Sequence, residues 1–183
     1  MAEISKPYTM ITDFVTGREV PNVGAEENRQ AVEKLLVEEK GYLQEDIKVD
    51  VDIAITVAGE PYRSQIDLAV SADGGQTRFM VIKCAAGSLG SREREIVAAA
   101  RLLDEYQIPR AVVSDGQTAI VLDTVSGKKI GDGLEAIPSK QEAIARLKAS
   151  TPAGFPKDRR EREKLIFRTY DVENVNVPRN LSS

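Results

Sequence analysis

The sequence predicts one mixed α/β domain: a central sheet of about five strands flanked by helices. Three observations predict it. Two apolar runs, residues 62–71 and 77–85, surround the turn Ala72-Asp73-Gly74-Gly75 and read as a β-hairpin. A helix-period segment stands on either side of the strand-forming region, so the order is helix, three strands, helix, two strands. A length of 183 residues with 42% hydrophobic and 30% charged side chains suits a domain with a sizeable core plus a short appendage.

The elements follow in chain order. Residues 8–11 are a short extended piece, and Thr16-Gly17 is a turn. The spacing of Val32, Leu35 and Leu36 predicts a helix over 25–40, with Gly41 as its stop. Residues 47–57 alternate apolar with polar or small side chains, as a half-buried strand does. Gly59-Glu60-Pro61 then turns into the hairpin. Residues 87–90 form a loop, and Ser91 is the expected cap of a helix reaching to about Tyr106. Strands at 111–113 and 120–122 are joined by Asp115-Gly116, and the helix before them lets strand 77–85 run parallel to residues 110–114. Ser126-Gly127 is a turn, and Gly131-Asp132-Gly133 reads as a loop. Ser139-Lys140-Gln141-Glu142 is a capping box opening a helix to about Ala149.

Residues 151–156, rich in Pro and Gly, read as a linker, which divides the chain into a domain at 1–150 and an appendage at 151–183. The appendage begins with a basic helical stretch, 158–168, carrying Arg159, Arg160, Arg162 and Lys164. These four are the candidate nucleic-acid contacts, although Glu161 and Glu163 between them also fit a solvated, salt-bridged helix. Leu165, Ile166, Phe167 and Tyr170 offer an apolar side that can dock on the domain or on a second subunit. The tail, 172–183, is expected to be extended or disordered.

Composition removes whole classes of chemistry. The chain has no histidine and one cysteine, so histidine-based triads, histidine-ligated zinc and intrachain thiolate clusters are excluded. A lone cysteine fits a reducing cytoplasm. No apolar run approaches the eighteen or so residues of a membrane span, so no membrane partner is expected. Catalysis, if any, must run on carboxylates, lysines, tyrosines and hydroxyls, with a hard metal such as Mg2+ as partner. The formal net charge of −4 argues against broad capture of DNA but leaves local basic patches free to act.

The hairpin carries the sharpest chemical signal. Asp67 interrupts the apolar run Ile66-Asp67-Leu68-Ala69-Val70, and Lys83 interrupts Val81-Ile82-Lys83-Cys84-Ala85. A charge inside each of two paired strands is costly unless the charges meet one another, a metal or water. Cys84, on the opposite parity to Lys83, should point into the core.

The element order resembles the core of the PD-(D/E)XK nuclease superfamily. More specifically, residues 11–149 resemble the N-terminal domain of the R (restriction) subunit of type I restriction enzymes, in a free-standing form. The residues carrying the likeness are Gly24-Ala25-Glu26-Glu27-Asn28-Arg29-Gln30, Gly41-Tyr42, Ile66-Asp67-Leu68, Val81 to Ala85, Arg101-Leu102-Leu103, Pro109 and Val112 to Gly116. The resemblance implies magnesium-assisted phosphodiester cleavage, with a helix glutamate, a strand aspartate and a Glu-x-Lys element. Carried over, these fall on Glu26 (Glu27 if the register slips by one), on Asp67, and on Lys83-Cys84-Ala85. Lys83 thus stands where the ligand acid would be, and Ala85 where the lysine would be. The glutamine often found on the next helix has Glu95 as its nearest counterpart.

Exchanging a carboxylate for an ammonium alters the local charge by two units, each worth roughly 4 kcal/mol a few ångströms away at an effective dielectric near 20. The expected result is an internal ion pair: Lys83 takes the cation's place beside Asp67 and Glu26, which would bind a metal only in the absence of that pair. Three functional readings remain open at this level: a catalytically degenerate nuclease-fold domain that binds DNA or a protein partner, an active Mg2+-dependent endonuclease with a relocated site, and a structural or homodimerising module.

Overall fold

A computed structural model describes residues 8–173. A short hairpin, β1 (Met10–Thr12) with β2 (Glu19–Pro21), leads into helix α1 (Glu26–Glu38). Strands β3 (Ile47–Val57), β4 (Glu60–Ser71) and β5 (Arg78–Cys84) follow, then helix α2 (Glu93–Leu102). Next come β6 (Arg110–Ser114), β7 (Ala119–Asp123) and β8 (Lys129–Asp132), then α3 (Lys140–Ala149) and α4 (Arg160–Glu173). The main sheet has the order β3-β4-β5-β6-β7-β8, antiparallel throughout except for the parallel pair β5–β6.

This is the expected mixed α/β sheet flanked by helices, with six strands. The sixth is β8, which includes Gly131 and Asp132 of the expected loop. Its side chains are mostly exposed, so it carries no apolar alternation to mark it as a strand.

Each face of the sheet has its own core. Leu68, Val70, Met80, Ile82, Cys84 and Val112 pack under α1 and α3 with Val32, Leu36 and Ala143. Ala69, Val81, Ala85, Ala111 and Val113 pack under α2 and α4 with Ile96, Ala99, Ala100 and Phe167. The central strands are buried on both faces, which is why they read as continuous apolar runs. Cys84 lies fully in the α1-side core.

Two helix boundaries differ from expectation. Ser91 is not the cap of α2: it lies in a 3-10 turn, Gly90–Arg92, and its hydroxyl donates to the Ser88 carbonyl at 3.0 Å. The helix ends at Leu102 rather than near Tyr106. There the chain bends back so that the Ile108 amide bonds the Ala100 carbonyl at 2.9 Å and the Tyr106 hydroxyl accepts from the Arg78 amide at 2.7 Å. By contrast, α1 ends at Glu38 and the chain turns away through Gly41 (φ +80°) with the Tyr42 amide on the Leu36 carbonyl at 3.1 Å, and the Ser139–Glu142 capping box opens α3 with both of its hydrogen bonds.

Helix α4 lies across α2 and reaches β3. Phe167 is buried against the edge of the Tyr62 ring, 6.2 Å between centroids, and Ile166 packs beside it, whereas Leu165 is exposed. Arg101 of α2 and Glu163 of α4 form a buried ion pair at 3.0 Å. The helix includes Val172 and Glu173, the first residues of the expected tail. Residues 174–183 lie outside the described part.

Candidate functional site

Strands β4 and β5 part at Asp67 and Lys83. Leu68 pairs with Ile82; one step further, β4 continues only with β3 while Lys83 and Cys84 continue with Val113 and Ser114 of β6. Where two strands diverge, backbone groups lose their ladder partners. Here the Cys84 N–H is satisfied by the Asp67 carboxylate, with Oδ2 accepting at 2.8 Å. Lys83 has the parity of Val81 and pairs with α2 on that helix's face, whereas Ile66 belongs to the α2/α4 core and Leu68 to the α1/α3 core, so β4 turns over at Asp67.

On its other flank the pairing of β4 with β3 skips one position: Val49 pairs with Leu68 and Val51 with Ile66, and the register passes over Asp50 and Asp67 between them. Asp50 adopts a left-handed conformation, φ +53°, which aspartate tolerates better than most residues. Its carboxylate is bonded by Arg29 at 3.3 Å.

Lys83 is almost fully buried and pairs with Glu95 of α2, Nζ to Oε1, at 3.2 Å. Burial disfavours the ammonium, but the carboxylates of Asp67 and Glu95 outweigh it and hold the Lys83 pKa above the ordinary lysine value. Burial likewise raises the Asp67 pKa, against the pull of Lys83 and the Cys84 amide. Burial pushes Glu95 up to about 7, Lys83 opposing and Asp171 of α4 adding to the shift. Asp171 itself accepts from the Tyr62 hydroxyl and, at 2.9 Å, from Ser64 Oγ.

Glu26, at the start of α1, is bonded by Arg29, which also meets Asp13 at 3.0 Å and Glu33 at 3.8 Å. Gln30 donates to both Asp13 and Glu26. One guanidinium thus anchors carboxylates from the β1–β2 hairpin, α1 and β3. The hub reaches the strand site electrostatically: Arg29 lowers, and Glu26 raises, the pKa of Asp67. Burial and the neighbouring Asp13 push Glu33 up to about 8, despite Arg29.

The structure therefore brings Asp67 and Lys83 together and sets Glu26 within electrostatic reach of Asp67, in the grip of Arg29. The four basic candidates lie elsewhere. Arg159 covers the Phe155 ring, Arg160 is partly exposed, Arg162 is exposed, and Lys164 pairs with Glu161 at 2.8 Å. Reading the sequence missed Arg29 as an ionic hub, although Glu26, Arg29 and Glu33 at i, i+3 and i+7 were its visible trace. Asp171 had no such trace, since its partners lie on β4 and α2.

Among the described residues, no three Asp, Glu or Cys side chains are grouped so as to hold a metal ion, and no helix is long and apolar enough to cross a membrane. No curated protein and no solved structure matches the chain. The family model described as type I restriction enzyme R protein N terminus matches residues 24–138, a span running from the turn before α1 through all six strands of the sheet to the turn before α3. With more than half its length matched, the chain belongs to the family of type I restriction enzyme R protein N termini.

Proposed function

We propose that this chain is a catalytically degenerate nuclease-fold domain of the PD-(D/E)XK type, acting by binding nucleic acid or a protein partner rather than by cutting DNA. One observation carries the reading: an ammonium, Lys83, occupies the buried position between Asp67 and Glu95 where the resemblance calls for a metal and its ligand acid. Magnesium needs hard oxygen ligands with free lone pairs. Here Asp67 is engaged by the Cys84 amide and the field of Lys83, and Glu26 by Arg29. This donor set does not fit magnesium.

Nucleic-acid binding falls to Arg159, Arg160, Arg162 and Lys164, on and just before α4. These side chains would bind phosphate rather than read bases, so affinity should fall with salt and vary little with sequence. Charge reversal of the three arginines should weaken binding and flatten the salt dependence by roughly 0.9 for each phosphate left without its cation.

The decisive test is calorimetry with Mg2+ and Mn2+ on the natural chain beside a Lys83→Glu, Ala85→Lys double variant. A silent natural chain and a metal-binding, DNA-nicking variant would identify a scaffold disarmed at those two positions. Metal binding by the natural chain that disappears with Asp67→Ala would instead establish an unconventional endonuclease.

A further inference from the structure

We infer that the cavity between α3 and the start of β6 is a binding site for a phosphomonoester, its dianionic head held between the guanidinium groups of Arg110 and Arg146. The site lies apart from Lys83: Arg110 opens β6, whereas Lys83 is level with Val113 near the other end of that strand. It therefore stands whether or not the nuclease reading does.

Two separate elements bring the cations together. Strand register sets Arg110 of β6 opposite Asp123 of β7, on the face that carries Val112 and Val121 and packs under α3. Arg146 lies on α3, three residues after the buried Ala143. Both arginines line one cavity of about 350 Å³, at the small end of the range usual for ligand sites.

Arg110 is the buried half of the pair. Its side chain is 7% exposed, yet only Nη1 donates, to the Pro109 carbonyl at 2.8 Å and to Asp123 Oδ1 at 2.9 Å. Nε and Nη2 make no hydrogen bond among the described residues and are not sealed in the core, so both can donate to a group that enters the cavity. Arg146 is exposed at the rim and forms no hydrogen bond or ion pair with a described residue.

Like charges so placed repel one another. Burial and Arg146 hold the Arg110 pKa below the ordinary arginine value, outweighing Asp123. The nearby acids leave the excess standing. Asp123 supplies one charge, and its Oδ2 accepts from the Ser126 amide at 2.9 Å. Glu142, four residues before Arg146, accepts from the Ser139 amide at 2.7 Å and does not line this cavity.

The donors select the ligand. Two guanidinium forks offer paired N–H groups that match the oxygens of a phosphate, whereas one fork already satisfies a carboxylate. A phosphomonoester also carries a second negative charge at neutral pH, which an internal phosphodiester lacks. Ser150 and Thr151 add hydroxyls, and Pro109, Leu147 and Pro152 form an apolar wall for the organic group. Two sources share this chemistry: a free nucleotide-sized phosphate, and the 5′-phosphate end of a nucleic-acid strand.

Calorimetric titration of the full chain separates them. The probes are adenosine 5′-monophosphate beside adenosine, and a short oligonucleotide with a 5′-phosphate beside the same strand with a 5′-hydroxyl. At least one phosphorylated probe should bind about tenfold more tightly than its unphosphorylated partner. Binding of the free monophosphate identifies a small-molecule site; binding confined to the phosphorylated strand identifies a strand end. In either case Arg146→Gln should weaken binding about tenfold or more, and the chain should stay folded because Arg146 bonds no described residue. Arg110→Lys, which keeps a cation beside Asp123 but loses the fork, should weaken binding as well. The inference is overturned if the phosphate adds no affinity to either probe, or if Arg146→Gln binds as tightly as the natural chain.

Discussion

The carboxylate of Asp67 accepts the backbone N–H of Cys84 at 2.8 Å, so a side chain completes the sheet at the point where two strands separate. Asp67 is a structural residue in its own right, beyond its electrostatic tie to Lys83.

Replacing it separates the two roles. Asp67→Ala leaves the Cys84 amide unpaired and Lys83 with one fewer counter-charge, and should cost about 3–5 kcal/mol. Asp67→Asn keeps an acceptor for the amide and should cost less. Urea unfolding of both variants checks this, and equal losses would remove the amide from the explanation.

The Arg29 hub should make stability depend on pH. Glu33 is raised to about 8, so it contributes stability below its ordinary value of 4.5, and that contribution disappears as pH rises through 8. The melting temperature should fall between pH 5 and pH 9. Glu33→Gln should shallow that fall and be the more stable form at pH 9. Glu95 titrates in the lower part of the same window, so some slope will remain.

The buried pair between α2 and α4 can be measured by a double-mutant cycle. Arg101→Met strands Glu163 and leaves the carbonyls of Thr124 and Val125 without their guanidinium donor. A loss of about 3–5 kcal/mol is expected. Adding Glu163→Met should recover most of it, because two apolar side chains in a buried site avoid the stranded charge. Additive losses in denaturant melts would contradict this.

Gly116 tests the fit of α1 against the β6–β7 turn. It has φ +84°, and an added Cβ would lie 2.8 Å from Ala31 Cβ and 3.2 Å from the Asn28 carbonyl. Gly116→Ala combines a disfavoured backbone with a clash and should destabilise by roughly 2–4 kcal/mol in a thermal or urea melt.

The residues that made this fold legible are those whose signal is local. The β4–β5 hairpin announces itself through two apolar runs around Asp73-Gly74-Gly75, and α3 through Ser139 and Glu142. Asp67 and Lys83 stood out because each sets a charge inside an apolar run, which is a local signal. What stayed hidden depends on distant segments. The apolar side of α4 leaves open whether it docks on the domain or on a second subunit; Phe167 settles on the domain beside Tyr62. The burial of Glu163 against Arg101 has no local trace in a stretch that reads as solvated and salt-bridged. The left-handed backbone of Asp50 sits where the pairing of β3 with β4 skips a position, which no spacing within β3 reveals.

The lone parallel pairing, β5 with β6, divides the sheet into two three-stranded meanders. Within each meander every strand joins its sequence neighbour across a short turn, so either half closes at small entropic cost. Joining Met80 to Arg110 is a more distant step, and it can be completed only after α2 has crossed over the sheet between them. The folding rate should therefore follow the assembly of that central join, and substitutions in α2 should slow folding more than equally destabilising ones in the outer strands.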